Sequence, residues 1–314
     1  MGHQLDPQVA EAFAAMLAGS PPPPPVPRGD WRALREQSNM GLTGLMAGDM
    51  PEQVQLSVIE QPNADGVPVS MRWYQREGSA PGSAILYFHG GGMIAGTAEM
   101  FDRALAGYVA ATGVPMLSVD YRLAPEHPHP AQLDDGITAL LWLIDHAGGL
   151  GVDPARIAVM GDSAGGGLAA ALAALARDRG IALAAQILIY PMLDDRRTAD
   201  EPGIAPFAVW TADNNWTGWH ALVGDRIGGP DVPASAAPAR QENFAGLAPA
   251  YIEVGDLDIF RDEDIAYALA LSRAGVPIEL HVHSSVPHAF ELLAPDADVT
   301  KRAMVDRQRV ISQL

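Results

Sequence analysis

Ser163 carries the strongest chemical signature in the chain. It stands in Met160-Gly-Asp-Ser-Ala-Gly-Gly-Gly-Leu-Ala169, between glycines and at the border of two periodicities. Residues 156–160 are apolar enough for a buried strand, and 168–176 have the composition of a helix with small residues on most faces. A G-x-S-x-G turn joining strand to helix forces the serine into a strained backbone conformation, which only small neighbours such as Gly161 and Gly165 tolerate. Such a turn holds the hydroxyl out above the sheet, with the amide of Ala164 facing the oxygen it attacks. The chemistry this suits is nucleophilic attack on a carbonyl.

A serine hydroxyl needs a base to take its proton, an acid to orient that base, and donors for the oxygen that becomes negative. His288 is the best base: it follows the strand pattern at 277–283 by five residues and lies in the loop at its carboxyl edge. His281 and His283 alternate within that strand and read as surface or half-buried side chains. For the acid, the run at 249–254 leads into Gly255-Asp-Leu-Asp-Ile-Phe-Arg-Asp-Glu-Asp264. Asp262, Glu263 and Asp264 fall in the first turn of the next helix, where carboxylates are expected as caps and dipole partners. Asp256 and Asp258 remain, with Asp258 preferred. His89-Gly90-Gly91-Gly92 follows the apolar run 84–88, where glycines let main-chain amides approach a carbonyl unobstructed. His89 is expected to fix that loop by hydrogen bonds.

The elements that must position these groups follow from hydropathy. Strand-like runs lie at about 54–60, 67–74, 84–88, 115–120, 156–160, 185–190, 249–254 and 277–283, with helical patterns between most of the later ones. Alternating strands and helices imply right-handed crossovers and a mostly parallel sheet. The first two runs, joined by Asn63-Ala-Asp-Gly66, read instead as an antiparallel edge hairpin. Residues 7–18 have an amphipathic helical pattern, Pro21 to Pro25 read as a stiff extended spacer, and a helical pattern resumes near Asp30-Trp31. The segment 193–245 fits neither pattern and reads as an insertion. The expected organisation is 1–50 as the N-terminal part of a helical cap, 51–192 and 246–314 as an α/β core, and 193–245 as an inserted cap segment. Met40, Met46, Met50 and the tryptophans at 210–219 are candidates for an adaptable apolar lining under that cap.

Composition narrows the partners. The 314 residues hold 20 basic and 38 acidic side chains, a net charge of −18 that argues against nucleic acid or an anionic membrane surface and favours a neutral small molecule. There is no cysteine, which excludes disulfides, thiol catalysis and cysteine-ligated metal. No metal or other cofactor is called for. The first twenty residues lack a basic start, and Asp6 and Glu11 interrupt any apolar stretch, so no signal peptide is expected. No run reaches the roughly 18 apolar residues of a membrane span. A cytoplasmic protein is expected, with a homodimer allowed but not required.

Four segments together resemble one family: His89-Gly-Gly-Gly92, Tyr121-Arg-Leu-Ala-Pro-Glu-His-Pro-His-Pro130, Gly161-Asp-Ser-Ala-Gly-Gly166, and Asp258-Ile-Phe-Arg-Asp-Glu263 with His288-Ala-Phe290. The chain is similar, from about residue 50 onward, to the hormone-sensitive-lipase-like branch of the α/β-hydrolases, the bacterial family IV carboxylesterases. The helical N-terminus with its proline run looks like that family's cap. The resemblance implies an α/β-hydrolase fold with an eight-stranded sheet. It makes Ser163 the nucleophile, Asp258 the acid and His288 the base, with oxyanion amides from Gly90, Gly91 and Ala164 and a further candidate in Gly92. It implies hydrolysis of short- to medium-chain acyl esters. An amidase or deacetylase with the same triad, or a non-catalytic small-molecule receptor, are the alternatives. Tyr121, Arg122, Glu126 and His127 would support the oxyanion loop. Met93 stands where the family usually has an aromatic residue, and Ile259-Phe260 replace its Pro-Leu.

Overall fold

A computed structural model describes residues 2–19, 23–79, 82–199 and 201–314. Its strands are β1 Val54–Pro62, β2 Pro68–Arg76, β3 Gly82–Phe88, β4 Met116–Asp120, β5 Val152–Asp162, β6 Gln186–Ile189, β7 Ala250–Gly255 and β8 Ile278–His283. Its helices are α1 Pro7–Gly19, α2 Trp31–Met46, α3 Asp102–Thr112, α4 Ala131–His146, α5 Ala164–Asp178, α6 Ala212–Val223, α7 Arg261–Arg273, α8 Phe290–Leu293 and α9 Asp298–Ser312. Every apolar run picked out in the sequence forms a strand. The eight strands make one sheet in the order β1-β2-β4-β3-β5-β6-β7-β8. β2 pairs antiparallel with β1 and β4, as the edge hairpin requires, and the remaining pairs are parallel.

The two-residue period of the strands divides the core. Leu86, Phe88, Val159, Leu188 and Ile252 pack on one face, while Ile85, Tyr87, Ala158, Met160, Ile187 and Tyr251 pack on the other. Covering both faces explains why the central strands read as continuous apolar runs rather than alternating ones. β5 starts four residues earlier than hydropathy indicates, because residues 153–156 are exposed and carry no apolar signal. Of the proline run, Pro21 and Pro22 lie outside the described residues, and Pro23 to Pro25 have no regular secondary structure. Among the described residues, no helix is long and apolar enough to cross a membrane.

Parallel strands place all their carboxyl ends on one side of the sheet. There β3 delivers His89 and the glycines, β5 delivers Ser163, β7 leads to Asp258 and β8 to His288. Over that edge lie α2 and the stretch from Val209 to Asn214, which share the lining of a cavity of about 220 Å³ with Ser163 and His288.

Candidate active site

The serine turn is built as its neighbours require. Ser163 has φ 56° and ψ −120°, in a region that costs a non-glycine residue about 1–3 kcal/mol. Three main-chain hydrogen bonds hold it there: Ser163 N donates to Ile189 O (2.8 Å), and its own carbonyl accepts from Gly167 N (3.0 Å) and Met192 N (2.9 Å). The flanking glycines are sterically obligatory. A Cβ on Gly161 would stand 2.2 Å from Gly165 O, and one on Gly165 would stand 2.0 Å from Phe88 O.

From 125 residues further along the chain, His288 brings Nε2 within 3.0 Å of Ser163 Oγ, in position to accept its proton. On the opposite edge of the ring, Nδ1 donates to Asp258 Oδ2 at 2.6 Å. The Asp258 and His288 side chains are 0% and 10% exposed, so the pair is shielded from water. Tyr190 and Phe260 meet the imidazole edge-on, at ring-centroid distances of 4.5 and 5.2 Å, and fix its plane. Asp256, the other candidate left open by the sequence, faces away from the histidine. Its carboxylate accepts from Ser285 N (2.5 Å) and Ser284 Oγ (3.3 Å), pinning the loop that leads to His288.

The glycine loop has its carbonyls tied. Tyr121 Oη donates to His89 O (2.7 Å), Nδ1 of His89 donates to Gly90 O (2.7 Å), and Ile94 N and Ala95 N both donate to Gly91 O (3.1 and 2.9 Å). In a trans peptide the N–H points opposite to the C=O, so tying these three carbonyls also sets the direction of the amides of Gly90, Gly91 and Gly92. None of these amides, nor that of Ala164 at the start of α5, donates to an acceptor among the described residues. Gly90, Gly91 and Gly92 line the cavity together with Ser163. Burial lowers the pKa of His89, keeping its imidazole neutral, and the ring is stacked 4.3 Å from Tyr121.

Several expectations need correction. Only Asp262 of the acids at the start of α7 behaves as a surface group, pairing with Arg261. Glu263 and Asp264 are buried: Glu263 accepts from the amides of Leu193 and Asp194 after β6, and burial raises the pKa of both acids well above the carboxylate range. The methionines do not line the cavity. Met40 is 66% exposed and Met46 packs in the core, while the apolar lining comes from Leu34, Leu42, Leu45, Val209, Trp210 and Leu292. Of the tryptophans at 210–219, Trp210 reaches the cavity. Trp219 is fully buried and Trp216 stacks on His220. His281 bonds to Glu279 and His283 lies beside Glu253, both away from Ser163. Glu279, His281 and Asp306 form a grouping that the sequence spacing hides, and the Arg309 guanidinium already pairs with two of its carboxylates.

A buried network behind the histidine was also missed. Tyr190 Oη donates to Glu291, and Arg307, 2% exposed, pairs with both Glu253 and Glu291. Burial, the largest single influence, would raise the pKa of Glu253, but the charges and hydrogen bonds of Arg307 and His283 together outweigh it and hold the group at about 2. One signal was available: Glu253 is an acid inside the apolar run 250–254. Asp162, just before the nucleophile turn, accepts from Tyr87 Oη at 2.6 Å and is pushed up to about 7 by burial, against the pull of Arg307.

Comparison with known proteins places this geometry. Residues 85–292 match a family model described as the α/β-hydrolase fold. Esterase LipI of Mycobacterium tuberculosis is 40% identical over 215 residues, which span 67% of this chain and 66% of LipI. Carboxylesterase NlhH of the same organism is 37% identical over 235 residues, 72% of this chain and 73% of NlhH. The structure of a bacterial heroin esterase superimposes with a TM-score of 0.90 at 35% identity, covering 99% of this chain and 98% of that one.

Proposed function

Because the chain belongs to the α/β-hydrolase fold family, in its hormone-sensitive-lipase-like branch of carboxylic ester hydrolases, we propose that Ser163, His288 and Asp258 act together as a serine esterase. The observation that carries this reading is His288, which spans Ser163 Oγ at 3.0 Å and Asp258 Oδ2 at 2.6 Å. Ser163 Oγ attacks the acyl carbonyl while His288 Nε2 takes its proton. The oxyanion is received by the free amides of the loop, with Gly90, Gly91, Gly92 and Ala164 as the donors. His288 returns the proton to the departing alkoxide, and Asp258 stabilises the imidazolium in between. Water then repeats the sequence on the acyl-enzyme and restores Ser163.

A cavity of about 220 Å³, whose apolar lining includes five leucines, Val209 and Trp210, supports short- to medium-chain acyl esters as the substrate class. The test is turnover of p-nitrophenyl esters from acetyl to dodecanoyl by the wild type and by Ser163→Ala, with labelling by a fluorophosphonate. Turnover favouring the short and medium chains, lost together with labelling in Ser163→Ala, is expected. Turnover that survives the substitution would assign the chemistry to another group. Matching anilides in the same assay separate an esterase from an amidase.

A further inference from the structure

Helix α2 presents one face to the cavity and another to the glycine loop. Leu34, Leu42 and Leu45 line the space over Ser163. Arg35 and Asn39, one turn apart, reach the main chain that follows β3, and Arg35 also reaches the main chain that follows β4. Arg35 Nε donates to Ile94 O (2.5 Å), and Nη2 donates to Ala124 O (2.8 Å). The same guanidinium forms a two-pronged pair with Glu126, 2.7 Å on each side. Gly96 N donates to Asn39 Oδ1 (2.8 Å). The segment held in this way is the turn whose Ile94 and Ala95 amides fix Gly91 O, and Ala124 N closes it by donating to Met93 O (2.9 Å).

The contacts are built rather than incidental. Arg35 stacks 4.6 Å over the Trp31 ring, which limits its rotamers, and its fork satisfies two carbonyls and a carboxylate at once. The hydrogen bonds from Arg35 hold the Glu126 carboxyl at about 2, so the pair stays ionised over the whole neutral range. The turn that α2 holds is therefore the one that ties Gly91 O and, through that peptide, the direction of the Gly92 amide.

We propose that Arg35 and Asn39 are positioning residues that couple filling of the acyl cavity to the geometry of the oxyanion loop. An acyl chain packed against Leu34 and Leu42 seats α2, and α2 sets the turn from Gly91 to Gly96. Binding energy from the unreactive end of the substrate is then expressed as kcat rather than as KM. This rests on the reading of the loop amides as oxyanion donors.

The experiment measures kcat and KM from acetyl to hexanoyl esters for the wild type, Arg35→Met, Arg35→Lys and Asn39→Ala. The same proteins are titrated with a trifluoromethyl ketone, which forms an oxyanion on the serine, and with its methyl ketone counterpart. Misplacing rather than deleting a donor should lower kcat about 10- to 100-fold. In Arg35→Met and Asn39→Ala the rise of kcat with chain length should flatten, KM should change little, and trifluoromethyl ketone affinity should fall in parallel with kcat. Arg35→Lys, which keeps the charge without the fork, should fall between wild type and Arg35→Met. Variants whose methyl ketone and trifluoromethyl ketone affinities fall equally, or whose kcat keeps the wild-type chain-length slope, would overturn the coupling. If Arg35→Met does not fold, Asn39→Ala, which removes a single hydrogen bond, decides the matter. A wild type that binds the two ketones equally would defeat the serine reading itself, which distinguishes the two failures.

Discussion

Asp258 Oδ2 lies 2.6 Å from His288 Nδ1, on the edge of the ring opposite Nε2 and its 3.0 Å approach to Ser163 Oγ. Asp258 Oδ1 accepts from Phe260 N (3.0 Å), so the carboxylate is itself held from the start of α7. The neutral tautomer with its proton on Nδ1 is the one this pairing selects, leaving Nε2 free to act as base.

Replacing Asp258 by Asn should therefore keep the fold and lower kcat by about 10⁴-fold, because the wrong tautomer is then favoured. Asp256→Ala removes only the anchor of Ser285 and should cost much less, within about tenfold. Steady-state kinetics on a butyryl ester compare the two, and equal losses would contradict the assignment of Asp258.

Gly165→Ala should be severe. Its Cβ would lie 2.0 Å from Phe88 O and 2.5 Å from His89 O, main-chain atoms at the root of the glycine loop. Overpacking costs about 1–3 kcal/mol and occasionally more, and the obstructing atoms here are main chain, so a lower melting temperature and a loss of kcat should appear together. A variant with wild-type melting and rate would show that the turn can widen freely.

Arg307→Met should destabilise the protein by about 3–5 kcal/mol, because Glu253 and Glu291 are then left buried without their cation. Urea unfolding measures this. Since Glu291 accepts from Tyr190, whose ring packs on His288, the variant should also lose activity at temperatures where it is still folded.

Asp162 gives a pH dependence of stability with a defined sign. Its pKa of about 7 in the native state lies above the 3.8 of the unfolded chain, so across pH 4 to 7 the native protein retains a proton that the unfolded chain has released. Stability from this group therefore falls as pH rises through that window, by a few kcal/mol, and levels off above it. Asp162→Asn removes the titration but keeps an acceptor for Tyr87. Thermal unfolding should show the variant gaining on the wild type between pH 5 and pH 8. Parallel curves would place the proton elsewhere.

The strands, the glycine loop and the serine turn were legible in the sequence because each rests on local physics. Apolar runs must be buried, a non-glycine residue at positive φ needs small neighbours, and a parallel sheet puts successive loops on one edge. The same reasoning, with the family resemblance, indicated Ser163, His288 and Asp258. Hydropathy did not distinguish Asp256 from Asp258 on its own: two acids two residues apart in one loop have the same local pattern, and only the path of the chain after β8 brings one of them to His288. It misjudged Glu263 and Asp264, since a carboxylate at a helix start looks like a cap until the main chain after β6 is packed against it. It could not find Arg307, Glu253 and Glu291, or the reach of Arg35 to Ile94. Those pairings join residues from 16 to 59 positions apart. Charge partners at such separations are chosen by packing, which sequence order does not encode locally.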